Sequence, residues 1–100
     1  MYLTDRLLGI TNFVEDKSIV GDIGTDHGYI PAYLIEKGIA KKVIATDISS
    51  SSLKKAEQLV ISKGFQEDID LRVGNGLDVI KPNEIDTLII AGMGGLLITD

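Results

Sequence analysis

The stretch Ile19 to Pro31, IVGDIGTDHGYIP, constrains this chain more than any other. A β-branched run ends on an acid, and Asp22-Ile23-Gly24-Thr25-Asp26-His27-Gly28 then turns towards a helical pattern. A short apolar run, a glycine turn and a helix are the opening of a parallel α/β sheet, with the turn at the carboxyl end of the first strand. The glycine spacing is that of a nucleotide-binding loop, acid-x-Gly-x-x-x-Gly. It is not the Gly-x-Gly-x-x-Gly form, which cradles a pyrophosphate with bare N–H groups at a helix N-terminus. Here Asp26 stands at the second glycine position, so carboxylates at 22 and 26 flank the loop. Two anionic side chains repel a pyrophosphate and suit a ligand carrying ammonium or sulfonium charge. S-adenosylmethionine is such a ligand.

The rest of the chain repeats the strand–helix alternation. Residues 3–15 carry apolar positions at Leu3, Leu7, Leu8, Ile10, Phe13 and Val14, close to helical spacing. Ser18 to Ile23 reads as the first strand. Pro31 sits where a first-turn proline is tolerated, and the helix runs to Lys37 before Gly38. Lys42 to Ile48 is a second strand. Ser49 to Ser52 supply caps for a helix with Leu53, Ala56, Leu59 and Val60 inward, stopped by Lys63-Gly64. Ile69 to Val73 is a third strand and Ile85 to Ala91 a fourth. Leu96 to Asp100 read as the opening of another helix. Such alternation implies parallel pairing through right-handed crossovers, a doubly wound α/β sheet. With strand four beside strand one, its outer edge lacks a partner, and Leu88, Ile89 and Ile90 on an open edge favour self-association. The expectation is therefore a sheet truncated after its fourth strand, the N-terminal piece of a longer chain.

One hundred residues make one small domain. A net charge of −5 argues against a basic nucleic-acid-binding surface. Lys41-Lys42, Lys54-Lys55, and Lys63 with Arg72 read as solvated faces. No apolar run approaches the ~20 residues of a membrane span, and MYLTDRLLGI is not a secretory signal. With no cysteine and one histidine, a disulfide framework, a Cys nucleophile and an all-protein zinc site are all disfavoured. The cytoplasm is the default location.

Three further positions carry chemistry. Asp47, closing strand two, can accept both hydroxyls of a ribose; a helix-N-terminal acid favoured by the dipole is the plainer alternative. In Gly74-Asn75-Gly76-Leu77-Asp78, Asn75 can offer its carbonyl and NH₂ to an adenine edge, although Asn-Gly is also a common turn. Gly92-Met93-Gly94-Gly95 follows strand four at the topological switch, where open sheets bind ligands. His27 and Tyr29 stand at the helix mouth, as structural residues or as part of the site. No Gly-x-Ser-x-Gly elbow surrounds Ser49 to Ser52.

DIGTDHGYIP, ATDIS, VGNGLD and IDTLIIAGMGG, in this order, resemble the bacterial tRNA (adenine-N1)-methyltransferases that modify adenine 22. The resemblance runs from Arg6-Leu7 to Gly95. It implies a Rossmann-like class I methyltransferase fold, S-adenosylmethionine as donor, and in-line attack of adenine N1 on the sulfonium methyl. Residues 1–100 would be the N-terminal cofactor-binding part, lacking the remaining strands and a helical C-terminal domain through which most of the tRNA is held. By position, Asp22, Gly24 and Gly28 would line the methionine end, Asp47 the ribose and Asn75 the adenine. Thr25, Ile48, Gly76, Gly92, Met93 and Gly94 complete the cofactor set. Asp26, His27 and Tyr29 would be catalytic, facing the transferred methyl with Gly92–Gly95; no metal is implied. The family usually carries an acid where this chain has Asn75. The alternatives are another methyl acceptor, a non-catalytic cofactor-binding fragment, or a nicotinamide-dependent oxidoreductase, whose glycine spacing Gly24 to Gly28 does not fit.

Overall fold

The computed structural model describes residues 17–25, 28–81, 83–90 and 96–99. The helical pattern over residues 3–15 lies outside them, as do Asp26, His27 and Gly92–Gly95. In chain order the elements are β1 (Ser18–Ile23), α1 (Tyr29–Glu36), β2 (Ala40–Asp47), α2 (Ser50–Lys63), β3 (Ile69–Val73), α3 (Gly76–Val79), β4 (Thr87–Ile90) and β5 (Leu96–Thr99). They build a five-stranded sheet of order β3-β2-β1-β4-β5. The first four strands are parallel, and β5 runs antiparallel to β4. A reversal of strand order beside β1 is the doubly wound arrangement that the alternation implied.

The pleat divides the side chains into two sets. Val20 pairs with Val43 and with Thr87, and Asp22 with Ala45 and with Ile89, so these residues share one face. Against that face pack Ile30 and Leu34 of α1 and Val60 of α2, in one core cluster with Val20, Val43, Ala45, Ile69 and Ile89. The opposite face meets the β3–β4 connection. A side-chain atom at Gly21 would meet Ile85 and Ile80, and one at Gly76 would collide with Ile23. Both helices end where the sequence placed their stops. Gly38 and Gly64 adopt left-handed φ values of 68° and 73°. Ile39 N–H reaches Leu34 O and Phe65 N–H reaches Val60 O, closing Schellman turns. Ser49 caps α2 by accepting from Ser52 N–H at 3.2 Å.

Three expectations need correction. Leu96–Thr99 is a strand, not the start of a helix: Leu-Leu-Ile-Thr is rich in branched residues, and an antiparallel partner needs only a short connection from Ile90. The sheet therefore does not stop at its fourth strand. Nor is the β4 edge open to self-association, because Leu88 pairs with Ile98 and Ile89 with Leu97. Strand boundaries also moved. β2 spans Ala40–Asp47, leaving Ile48 outside, β4 covers only Thr87–Ile90, and the one-turn helix α3 was not expected at all.

Gly28 shows how closely α1 enters the fold. Its φ is +80°, and an added Cβ would lie 2.9 Å from the Ala56 Cβ; Gly38 has a similar φ but open space around it. Gly38→Ala should cost about 1 kcal/mol from backbone strain alone. Gly28→Ala should cost roughly 2–4 kcal/mol, because overpacking adds to that strain. Urea unfolding of both variants checks this, and equal losses would refute the close approach of α1 to α2.

Candidate functional site

At the carboxyl ends of the parallel strands the backbone is stitched into one rim. Gly24 N–H and Thr25 N–H both donate to Thr46 O at 2.9 Å, carrying the β1–β2 ladder one step into the loop. Gly28 N–H donates to Thr25 O at 3.0 Å, and Gly74 N–H to Asp47 O at 2.9 Å. The N–H groups of Gly24, Thr25 and Gly28 are thus all taken by backbone carbonyls. A dinucleotide loop works by presenting such groups to a pyrophosphate. This one has directed them inward.

What the loop offers instead is charge. Asp22 is fully buried, and neither of its carboxylate oxygens has a hydrogen-bond partner among the described residues. The hydroxyl oxygens of Thr25 and Thr46 are likewise buried without a partner of proper geometry. A carboxylate is rarely left this way in a native fold, since an unpaired buried charge is strongly unfavourable. Desolvation pushes Asp22 up to about 7; the nearby Thr25 hydroxyl works against the rise and the charge of Asp47 adds to it. Asp22 and Asp47 lie on the same face of neighbouring strands, because Asp22 pairs with Ala45, two residues before Asp47. The electrostatic partner of Asp22 is therefore Asp47. The sequence had paired it with Asp26, which lies outside the described residues.

Asp47 also organises its own corner. Its Oδ1 accepts from Ser49 N–H at 2.9 Å, linking the end of β2 to the cap of α2. Next to it Ile48 is 80 % exposed, an apolar side chain that the core does not use. Across the rim, Asn75 precedes α3 but its side chain does not cap that helix. Gly76 is buried flush against Ile23. Thus Asp22, Gly24, Thr25, Gly28, Asp47, Ile48, Asn75 and Gly76 all stand on the rim of β1, β2 and β3 or in the turns that leave it. Half-exposed Tyr29 lines an open groove of about 390 Å³ with Lys55, Gln58, Leu59 and Ser62. The larger groove, about 440 Å³, runs between α2 and β3 and includes none of the expected residues. His27, Gly92, Met93 and Gly94 fall with Asp26 outside the described residues. Among the described residues no group of three or more His, Cys, Asp or Glu could hold a metal, and no helix is long and apolar enough to cross a membrane.

Arg72 is the residue that sequence reasoning misplaced. Read as part of a basic surface group, it is instead held by Asp70 at 2.9 Å and Glu84 at 2.6 Å. The signal was Asp-x-Arg within a strand, which puts acid and base on the same face.

Comparison with known proteins gives a consistent picture. A family model described as a methyltransferase domain matches residues 3–100. The tRNA (adenine(22)-N(1))-methyltransferase of Bacillus subtilis is 38 % identical over 96 residues, which is 96 % of this chain and 40 % of that protein. A Streptococcus pneumoniae crystal structure, a putative tRNA (m1A22) methyltransferase in complex with S-adenosyl-L-methionine, superposes with a TM-score of 0.85 at 32 % identity. It covers 92 % of this chain and 44 % of its own. The M. capricolum protein TrmK, bound to S-adenosyl-homocysteine, gives a TM-score of 0.77 at 33 % identity, over 85 % of this chain and 38 % of its own. The chain spans about two fifths of the length of these proteins.

The raised Asp22 makes a signed prediction. A group that holds its proton more tightly when folded stabilises the fold below its unfolded value of 3.8, and loses that contribution as pH rises through about 7. Above pH 7 the loss is on the order of 4 kcal/mol. Glu84 acts in the opposite sense: hydrogen bonds from Arg72 and the Lys81 backbone lower it to about 2, so its contribution, present above 4.5, disappears as pH falls towards 2. Asp22→Asn should therefore be more stable than the parent at pH 8 by a few kcal/mol, with most of that gain gone at pH 4. Denaturation midpoints at the two pH values measure this, and an equal difference at both would contradict it.

Proposed function

This chain belongs to the methyltransferase-domain family, and from that premise we propose that it is the donor-binding part of an S-adenosylmethionine-dependent tRNA (adenine-N1)-methyltransferase. The observation that carries the reading is the buried Asp22 carboxylate, without a hydrogen-bond partner among the described residues, beside a loop in which the N–H groups of Gly24, Thr25 and Gly28 are already satisfied. Such a site rewards a ligand cation and offers little to a phosphate. S-adenosylmethionine brings an ammonium group, a ribose and an adenine, and the residues present fit each in turn. Asp22, with Gly24, Thr25 and Gly28 around it, holds the ammonium end. Asp47 takes the ribose hydroxyls, exposed Ile48 packs on the base, and Asn75 with Gly76 meets the adenine edge. The bound cofactor supplies an electrophilic methyl group. Gly92, Met93 and Gly94, which follow β4 in sequence, are assigned to the same cofactor set.

The protein's own contribution is orientation and charge. Adenine N1 lies on the Watson–Crick edge, so a paired target must first be exposed. Methylation leaves positive charge on the ring, and Asp26 is the carboxylate assigned to offset it, with His27 and Tyr29, its near neighbours in sequence, as the other catalytic candidates. The grip on tRNA belongs mainly to regions beyond these residues. This chain carries a net charge of −5, unsuited to binding an RNA backbone. It covers 40 % of the Bacillus subtilis tRNA (adenine(22)-N(1))-methyltransferase, and the likeness to that enzyme is the basis for the acceptor. The cytoplasm is the corresponding location.

Titration calorimetry tests the reading. S-adenosylmethionine should bind this chain, NAD should not, and Asp22→Asn should weaken binding by tenfold or more through loss of a charge-assisted contact. Heat from NAD instead would favour an oxidoreductase, and heat from neither would leave a non-catalytic module.

A further inference from the structure

We infer that Arg72 is a positioning residue for the adenine subsite, holding the Asn75 turn in place through the end of α3. The inference rests on the proposed cofactor reading. A four-residue helix such as α3 has almost no stability of its own, so outside contacts must fix where it lies. Arg72 provides them. Its Nη1 donates to Val79 O at 2.6 Å, at the end of α3, and to Glu84 Oε1 at 2.9 Å. Its Nη2 donates to Glu84 Oε2 at 2.6 Å and to Asp70 Oδ2 at 2.9 Å, and Nε donates to the same Asp70 oxygen at 3.2 Å. All five N–H donors of the guanidinium are engaged. Glu84 is fixed in turn, since its Oε1 also accepts from Lys81 N–H at 2.8 Å.

The guanidinium therefore ties three segments together: the edge strand β3, the end of α3, and the connection leading to β4. Between the first two lies the turn Gly74-Asn75-Gly76. That turn is held at one end by Gly74 N–H on Asp47 O, and at the other by the close approach of Gly76 to Ile23. The Arg72–Val79 bond holds the far end of the helix into which the turn leads. Because Asn75 does not spend its side chain capping α3, the direction of its amide depends on where this turn sits. Lysine cannot replace the fork, since an ammonium is a single point of charge with three donors.

The test separates positioning from plain destabilisation by comparing two ligands that differ only in the base. S-adenosylhomocysteine and S-inosylhomocysteine share the ribose and the amino acid, but the second has a carbonyl in place of the exocyclic amine. A correctly held Asn75 should favour the adenine form by about tenfold, the effect of one well-made hydrogen bond against a mismatched one. Arg72→Lys, verified as folded by circular dichroism, should reduce that ratio to near one, as should Asn75→Ala. Were Arg72→Lys to unfold the chain, Glu84→Gln serves, and a several-fold drop in the same ratio is expected. A variant that weakens both ligands equally and keeps the ratio would overturn the inference. Failure of the unsubstituted chain to bind either ligand would instead refute the cofactor reading on which it rests.

Discussion

The carbonyl oxygen of Thr46 accepts two N–H groups, from Gly24 and Thr25, and the arrangement of the rim depends on that double acceptance. It extends the pairing of β1 with β2 past the last residue of β1 and bends the loop over the end of the neighbouring strand. The N–H groups of Gly24, Thr25 and Gly28 are thereby committed to backbone carbonyls before any ligand arrives. Asp22, the residue that closes the buried part of β1, has no hydrogen-bond partner among the described residues and is 0 % exposed. Among the described residues the loop's N–H groups are taken by backbone carbonyls, and the rim holds a buried acid without a hydrogen-bond partner, with a second acid, Asp47, on the same face of the next strand.

A site of this kind sacrifices stability. The fold would be better served by an amide or an apolar residue at position 22, because ionising the carboxylate there is opposed by burial and by Asp47. Strain of this sort concentrates at functional positions, where a ligand removes it on binding. Arg72 is the counterweight. Its guanidinium satisfies every donor it has and ties Glu84 and Asp70 to the end of α3.

Much of this was legible in the sequence, for identifiable reasons. β1 and β3 were readable to the residue because branched runs bounded by turn residues leave little choice, and Gly38 and Gly64 mark helix ends that only a left-handed residue can make. Asp22, Asp47 and Asn75 could be singled out because each lies at or next to the end of a strand, and the structure sets all three along the same rim. Other features depended on tertiary partners and left no local trace. Leu96–Thr99 fits either a helix or a strand by composition, and only the β4 edge decides it. α3 is too short to show a period. Arg72 looked like surface charge because Glu84, its strongest partner, is twelve positions away in sequence.

Asp22 is a buried acid without a hydrogen-bond partner among the described residues, and the proposed function makes it the acceptor for a ligand cation. Carbon-13 NMR of the Asp22 carboxyl, titrated in the free protein and again with saturating S-adenosylmethionine, tests it most directly. The account predicts a midpoint near 7 in the free protein and a marked fall when the ligand's ammonium is in place. A free-protein midpoint close to the ordinary aspartate value, unmoved by the ligand, would contradict it.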